Sequence, residues 1–218
     1  MWYDILVDLK EGVAMSKELI FSIIFYILGM VVLAFGVTML ILSGLGTGAW
    51  DALFVGLFEL FGLTVGAWIF IVGIILIFLN SFLLKNKLDY SAVLTIFLIG
   101  VFIDFWLLIV FSGVEVTAMT SRISLLGLGV VCMSAGIGMY LQLNFARNPI
   151  DNLMMAVHYR TNWSLAVSKS SIEVAILILA FFIGGPIGIG TVIVAFAIGP
   201  LVQLFFKRFE RLKFRFAQ

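Results

Sequence analysis

The sequence predicts an all-α integral membrane protein with six transmembrane helices, arranged as two inverted three-helix repeats that each carry a short broken or re-entrant helix. Three observations lead there. Of the 218 residues, 63% are hydrophobic and 11% charged, against about 45–50% and about 25% in an average soluble domain. The apolar residues fall in continuous runs of about 20, the length a helix needs to cross a bilayer. The chain also matches itself at a spacing of one hundred residues. Lipid offers a backbone amide no hydrogen-bond partner, so only helices and closed barrels span it, and continuous rather than alternating apolar runs select helices.

Five runs are clear, at 19–43, 64–84, 90–112, 123–143 and 187–206. A sixth, 165–184, opens with Lys169 and Glu173 one helical turn apart before turning apolar at Val174, as suits a helix with a polar cytoplasmic end. Residues 1–18, with Asp4, Asp8, Lys10, Glu11, Lys17 and Glu18, lack the pattern of a secretory signal and read as a cytoplasmic tail. Residues 207–218 carry Lys207, Arg208, Arg211, Lys213 and Arg215 among aromatics, which fits a membrane-surface anchor better than a nucleic-acid patch. The organisation expected is therefore a tail (1–18), a first membrane repeat (19–112), a second (113–206) and a basic tail (207–218). Six spans place twelve of the thirteen Lys and Arg residues on one side and Arg122 alone on the other. Basic residues stay on the cytoplasmic side during insertion, so both termini are expected there. An eight-span alternative, with 45–62 and 145–162 also crossing, would move Lys85 and Lys87 to the far side.

Shifted by one hundred, Leu28, Gly29, Gly36 and Met39 meet Leu128, Gly129, Gly136 and Met139, and Asp51 and Leu53 meet Asp151 and Leu153. After a one-residue slip, Ile99, Gly100 and Asp104 meet Ile198, Gly199 and Gln203. Three spans per unit force the second copy to enter the membrane from the opposite side. Paired inverted units of this kind recur in secondary transporters, with the substrate site near the midplane between them.

Each copy contains a polar break. The first runs Gly44-Leu45-Gly46-Thr47-Gly48-Ala49-Trp50-Asp51 and resumes as an apolar stretch to Phe61, too apolar for an exposed loop and too short to span. The second runs Asn144-Phe145-Ala146-Arg147-Asn148-Pro149-Ile150-Asp151, where Asn148 before Pro149 reads as an N-cap ahead of the first helical residue. With Thr47 or Gly48 and Asn148 as caps, Asp51 and Asp151 sit at the third helical position. There they serve as capping carboxylates that complement the helix dipole, or they shape two half-helix N-termini that hold an anionic or zwitterionic solute. The two roles are compatible.

Asp104, inside the third span, is expected to face the bundle interior, either coupling transport to a proton or cation or as a buried carboxyl satisfied by Ser, Thr or backbone. Its mate Gln203 and Glu173 are further interior polar candidates, Glu173 with Lys169 as its alternative partner. His158, the single histidine, and Cys132, the single cysteine, support neither a metal cluster nor a disulfide. No phosphate loop or nucleophile elbow occurs, so neither an enzyme activity, a metal site nor a cofactor is expected.

The glycine-rich turn into Trp50-Asp51, the stretch Asn148-Pro149-Ile150-Asp151-Asn152-Leu153, and Gly188-Ile189-Gly190-Thr191-Val192 continuing to Ile198-Gly199-Pro200-Leu201-Val202-Gln203 resemble the YczE/YitT-type family of bacterial inner-membrane proteins, most closely its YczE branch. The resemblance covers about residues 28–206 and implies a bacterial plasma-membrane location; it supplies neither a substrate nor site residues. The expected function is a secondary transporter or permease for a small polar solute, anionic solutes included. Thr47, Gly48, Asp51, Asn148 and Asp151 would bind it, and Asp104, Glu173 and Gln203 would provide interior polar groups. The alternative is a non-transporting scaffold or assembly factor that acts through a protein partner. The lipid bilayer is a partner in either case, a homo-oligomer is compatible with both, and nucleic acid with neither.

Overall fold

A computed structural model describes the backbone of residues 2–142 and 148–216 and the side chains of 22–142 and 148–212. The expectations for Asn144 to Arg147, for the charged side chains of residues 1–18, and for Lys213 and Arg215 lie outside the described residues. The elements in order are α1 (Trp2–Ser43), α2 (Ala49–Phe61), α3 (Val65–Leu84), α4 (Tyr90–Asp104) continuing into a π-helical segment (Phe105–Val110), α5 (Met119–Tyr140), α6 (Pro149–Thr161), α7 (Leu165–Phe182) and α8 (Ile189–Phe216).

Among the described residues, six helical stretches are long and apolar enough to cross a membrane: Ser22–Ser43, Val65–Leu84, Tyr90–Val110, Met119–Tyr140, Leu165–Phe182 and Ile189–Leu212. They coincide with the six apolar runs of the sequence. The segments read as tails continue as helix, since α1 starts at Trp2 and α8 ends at Phe216. The short helices α2 and α6 have 13 residues each, about 20 Å at 1.5 Å per residue, against a hydrocarbon core of about 30 Å. Neither spans, and the eight-span alternative falls.

Local chemistry sets the boundaries. Thr64 caps α3 by accepting from the Ala67 amide, Asp89 caps α4 through Ala92, Asn148 caps α6 through Ile150, and Ser164 caps α7 through Val167. Pro149 occupies the first turn of α6, where its missing N–H costs nothing. Chain reversals after α3 and α6 use left-handed Lys85 (φ 54°) and Asn162 (φ 57°). At the end of α1 the chain turns through Gly44 (φ 58°) and Gly46 (φ 107°), torsions that favour glycine.

α1 is the centre of the bundle: Met30, Ala34 and Leu40 are fully buried, and Val37 and Met39 nearly so. Its main partner is α5, which it crosses antiparallel, Gly29 against Gly136 and Gly36 against Gly129. A Cβ on Gly36 would lie 2.9 Å from the Gly129 carbonyl oxygen, and one on Gly129 would lie 2.9 Å from the Gly36 carbonyl oxygen. Lipid supplies little hydrophobic drive for helix association, so backbone approach of this closeness supplies the packing.

Around this pair, α4 packs on α1 and α3, and α8 on α5. Both short helices, α2 and α6, pack against α3 and α7. α7 and α8 share no extended contact although they are consecutive. The outward faces of the long helices carry exposed apolar side chains, with Phe82, Ile109, Phe182 and Phe196 strongly exposed, as lipid-facing positions require.

Candidate functional site

α2 and α6 start at Ala49 and Pro149 and end at Phe61 and Thr161, so they occupy matching positions one hundred residues apart. Each places an aspartate in its third helical position, Asp51 and Asp151. The two ends differ in their caps: Asn148 bonds the Ile150 amide at 3.1 Å, whereas Gly48 has no side chain to offer and its role falls to extended backbone (φ −60°, ψ 158°). Thr47 is buried, its amide donating to the Pro186 carbonyl at 3.2 Å. That bond ties the first break to the connection between α7 and α8.

Asp51 is buried at 9% exposure, and α2 is buried from Ala49 to Gly56. Glu173 on α7 acts on it electrostatically. Glu173 in turn has Lys169 and Asp151 within electrostatic reach, and Asp151 also acts on Tyr140 of α5. Glu173 thus lies within electrostatic reach of both buried Asp51 and exposed Asp151. Among the described residues no three His, Cys, Asp or Glu side chains converge as metal ligands.

Among the described residues, three polar side-chain atoms are buried without a hydrogen-bond partner: Trp50 Nε1 on α2, Asn80 Oδ1 on α3 and Ser168 Oγ on α7. All three residues are more than nine-tenths buried. Asn80 uses its amide nitrogen to hold the Pro149 carbonyl at 2.7 Å, fixing the N-terminus of α6 against α3. Buried polar atoms without partners are uncommon in native proteins because each forfeits its hydration; here a donor, an acceptor and a hydroxyl lie on α2 and the two helices it packs against. The sequence reading missed all three. Asn80 had a signal, being an amide inside an apolar span; Trp50 and Ser168 had none.

A second polar group closes the region toward α4. Tyr26 and Thr95 share a 2.7 Å hydrogen bond, and the ring of Tyr26 meets that of Tyr140 edge-on at 6.2 Å.

Asp104 stands apart from this cluster. Its Oδ2 accepts from the Thr64 hydroxyl at 2.6 Å and its Oδ1 from the Gly66 amide at 2.8 Å. It therefore binds the N-terminus of α3, satisfied by Thr and backbone, next to the π-helical segment and to the closest approach of α3 and α4 at Gly66 and Gly100. Gln203 is exposed on α8, and the described structure brings it to neither Asp104 nor the carboxylates. Arg122, unassigned by the sequence reading, closes the end of α1: Nε donates to the Ser43 carbonyl at 2.7 Å and Nη2 to the Gly44 carbonyl at 2.6 Å, where a cation also opposes the helix dipole.

Such a bundle, with two short helices meeting polar groups between longer ones, defines a polytopic α-helical membrane protein. Comparison with known proteins narrows this: the profile of a family of unknown function, DUF6198, matches residues 20–207, and the chain belongs to that family. The Bacillus subtilis (strain 168) membrane protein YczE is 36% identical over 87% of this chain and 87% of its own length. Bacillus subtilis YyaS is 35% identical over 86% and 93%. A Haemophilus influenzae protein is 30% identical over 83% and 81%. The resemblance to the YczE branch therefore holds. No solved structure matches the chain.

Proposed function

We propose that the protein is a secondary transporter of a small polar solute in the bacterial plasma membrane, built from inverted repeats over 19–112 and 113–206 with both termini cytoplasmic. The observation that carries the reading is the pair α2 and α6, both seated on α3 and α7, with Glu173 within electrostatic reach of Asp51 and of Asp151 and three unpaired polar atoms buried on α2, α3 and α7. The repeat is supported by matching helix limits (49 and 149, 61 and 161). It is supported again by the reciprocal glycine contacts, since exchanging the copies turns Gly29–Gly136 into Gly129–Gly36. Membership of a family with membrane-protein relatives agrees with it.

Both half-helix N-termini already carry an acidic residue that offsets the positive end of the dipole. The site chemistry therefore favours a zwitterionic or amine-bearing solute over a simple anion: the carboxylates serve its cationic group, and Trp50 Nε1 serves its acidic or carbonyl group.

The test is thermal unfolding of detergent-purified protein with a panel of amino acids, betaines and polyamines, because a ligand that binds only the folded state raises apparent stability. A selective upward shift that is lost in a folded Asp51→Asn variant supports the reading. Equal shifts in both proteins count against this site.

A further inference from the structure

The two copies are packed differently in one place. In the first, α4 lies on α3: Gly66 and Gly100 meet backbone to backbone, and Ile77, Ala92 and Ile96 with Phe70 and Ile74 form a local core. Asp104 fastens the pair at the N-terminus of α3. In the second, the corresponding surfaces are bare. Ala166, Ser170 and Val174, which stand where Gly66, Phe70 and Ile74 stand, line an open groove along α7. Gly199, the mate of Gly100, has nothing within 4 Å of a Cβ placed on it, and Gln203, the mate of Asp104, is exposed.

α8 is held at both ends. At the Gly188 end it is pinned: the Gly190 amide donates to the Leu45 carbonyl at 2.8 Å, and Gly188 and Gly190 lie so close to the Leu45 and Gly46 carbonyls that no side chain fits. Its other end rests on α5, with Gly138 against Phe205 and Phe206 and the Gln142 side-chain amide nitrogen donating to the Phe206 carbonyl at 2.9 Å; between the two holds, Pro200 removes one backbone hydrogen bond and permits a bend directly after Gly199.

We propose that α8 pivots on its Gly188–Gly190 end, gives up the Gln142–Phe206 hydrogen bond to α5, and closes onto the open face of α7. In that second arrangement Gly199 meets Ala166, and Gln203 takes the role at the N-terminus of α7 that Asp104 plays at α3. Gln203 Oε1 accepts from the Ala166 amide and Gln203 Nε2 donates to the Ser164 hydroxyl, which already caps α7. By the same exchange α4 parts from α3, breaking the Asp104 contacts with Thr64 and Gly66. The structure described here is then one of two states, closed between α3 and α4 and open between α7 and α8, and the motion exposes the region of Asp51 and Glu173 from one end of the bundle at a time. This rests on the inverted-repeat part of the transporter reading, not on the identity of a solute.

The experiment is disulfide crosslinking in proteoliposomes, with Cys132→Ser as background. The pair Thr64→Cys/Asp104→Cys reports the arrangement described, and the pairs Ser164→Cys/Gln203→Cys and Ala166→Cys/Gly199→Cys report the proposed one. All four α7 and α8 positions are exposed or open, so at least one of the latter pairs is expected to fold with an unchanged unfolding temperature. An intrachain crosslink in it, increased several-fold by Asp104→Ala, is the result expected. No crosslink while Thr64→Cys/Asp104→Cys reacts, or a crosslink found only between chains in a dimer, overturns the pivot. Crosslinking reads geometry and solute uptake reads transport: an intrachain crosslink without uptake of any solute sinks the transporter reading and leaves the pivot standing.

Discussion

Gly36 of α1 and Gly129 of α5 face each other so closely that a Cβ on either would sit 2.9 Å from the carbonyl oxygen of the other. The contact is reciprocal, and with its counterpart at Gly29 and Gly136 it fixes the two central helices antiparallel. α4 and α8 pack directly on this pair, and α3, through α4, carries the group of α2, α6 and α7.

Substitution at this crossing has a definite cost. Gly36→Ala and Gly129→Ala each push the two backbones apart, and overpacking of a tight core costs about 1–3 kcal/mol. The expected result is a clearly lower unfolding temperature in detergent for both. Gly127→Ala, with nothing within 4 Å of the added carbon, serves as the control and is expected to be neutral or to stabilise by up to about 1 kcal/mol through helix propensity.

Asp104 behaves as a fastening group in the described state. Asp104→Asn keeps an acceptor for the Gly66 amide and a polar partner for Thr64, so stability and solute uptake are expected to survive. Asp104→Ala orphans both donors and is expected to cost about 1–3 kcal/mol. Loss of uptake in a stable Asp104→Asn protein would instead identify a proton-coupling carboxyl.

Arg122 holds two carbonyls with one guanidinium, a geometry an ammonium cannot reproduce. Arg122→Lys and Arg122→Ala are both expected to destabilise, by roughly 1–2 kcal/mol for the charged hydrogen bonds lost. Limited proteolysis near residues 43–48 is the readout, with faster cleavage there expected in both variants.

Asn148 caps α6 through its side chain, while its counterpart Gly48 caps α2 through backbone alone. Asn148→Ala is therefore expected to lower stability by about 1 kcal/mol, and Asn148→Asp or Asn148→Ser to restore most of it. Gly48→Ser adds a capping hydroxyl but also a Cβ 3.1 Å from Asp51 Oδ2, so it is expected to perturb any ligand-induced stabilisation more than the unfolding temperature of the free protein.

Much of this architecture is legible in the sequence because its causes are local. Apolar runs near bilayer length specify the six long helices, and Asn148-Pro149 specifies the start of α6 to the residue. The placement of Asp51 and Asp151 three positions into short helices follows from the same pattern. What escaped depends on helices meeting across the fold. Trp50, Asn80 and Ser168 look like ordinary span residues until α2, α3 and α7 are brought together and their polar atoms lose water. Thr64, forty residues from Asp104, decides between a coupling carboxyl and a fastening one. Arg122 could be counted as the lone basic residue on its side, but its work on the α1 carbonyls requires α1 and α5 to be adjacent. The bare face of α7 is invisible in a sequence whose two copies predict equal packing.

The most direct test of the central claim, that the region between α2 and α6 carries a solute across the membrane, is uptake of a mixed panel of amino acids, betaines and polyamines into proteoliposomes, read by mass spectrometry. The account predicts that at least one solute enters above the protein-free level, and that a folded Asp51→Asn protein abolishes its entry. Absence of uptake for every solute by protein shown to be folded, with a partner protein recovered by crosslinking in cells, would contradict it and assign the chain to a scaffold.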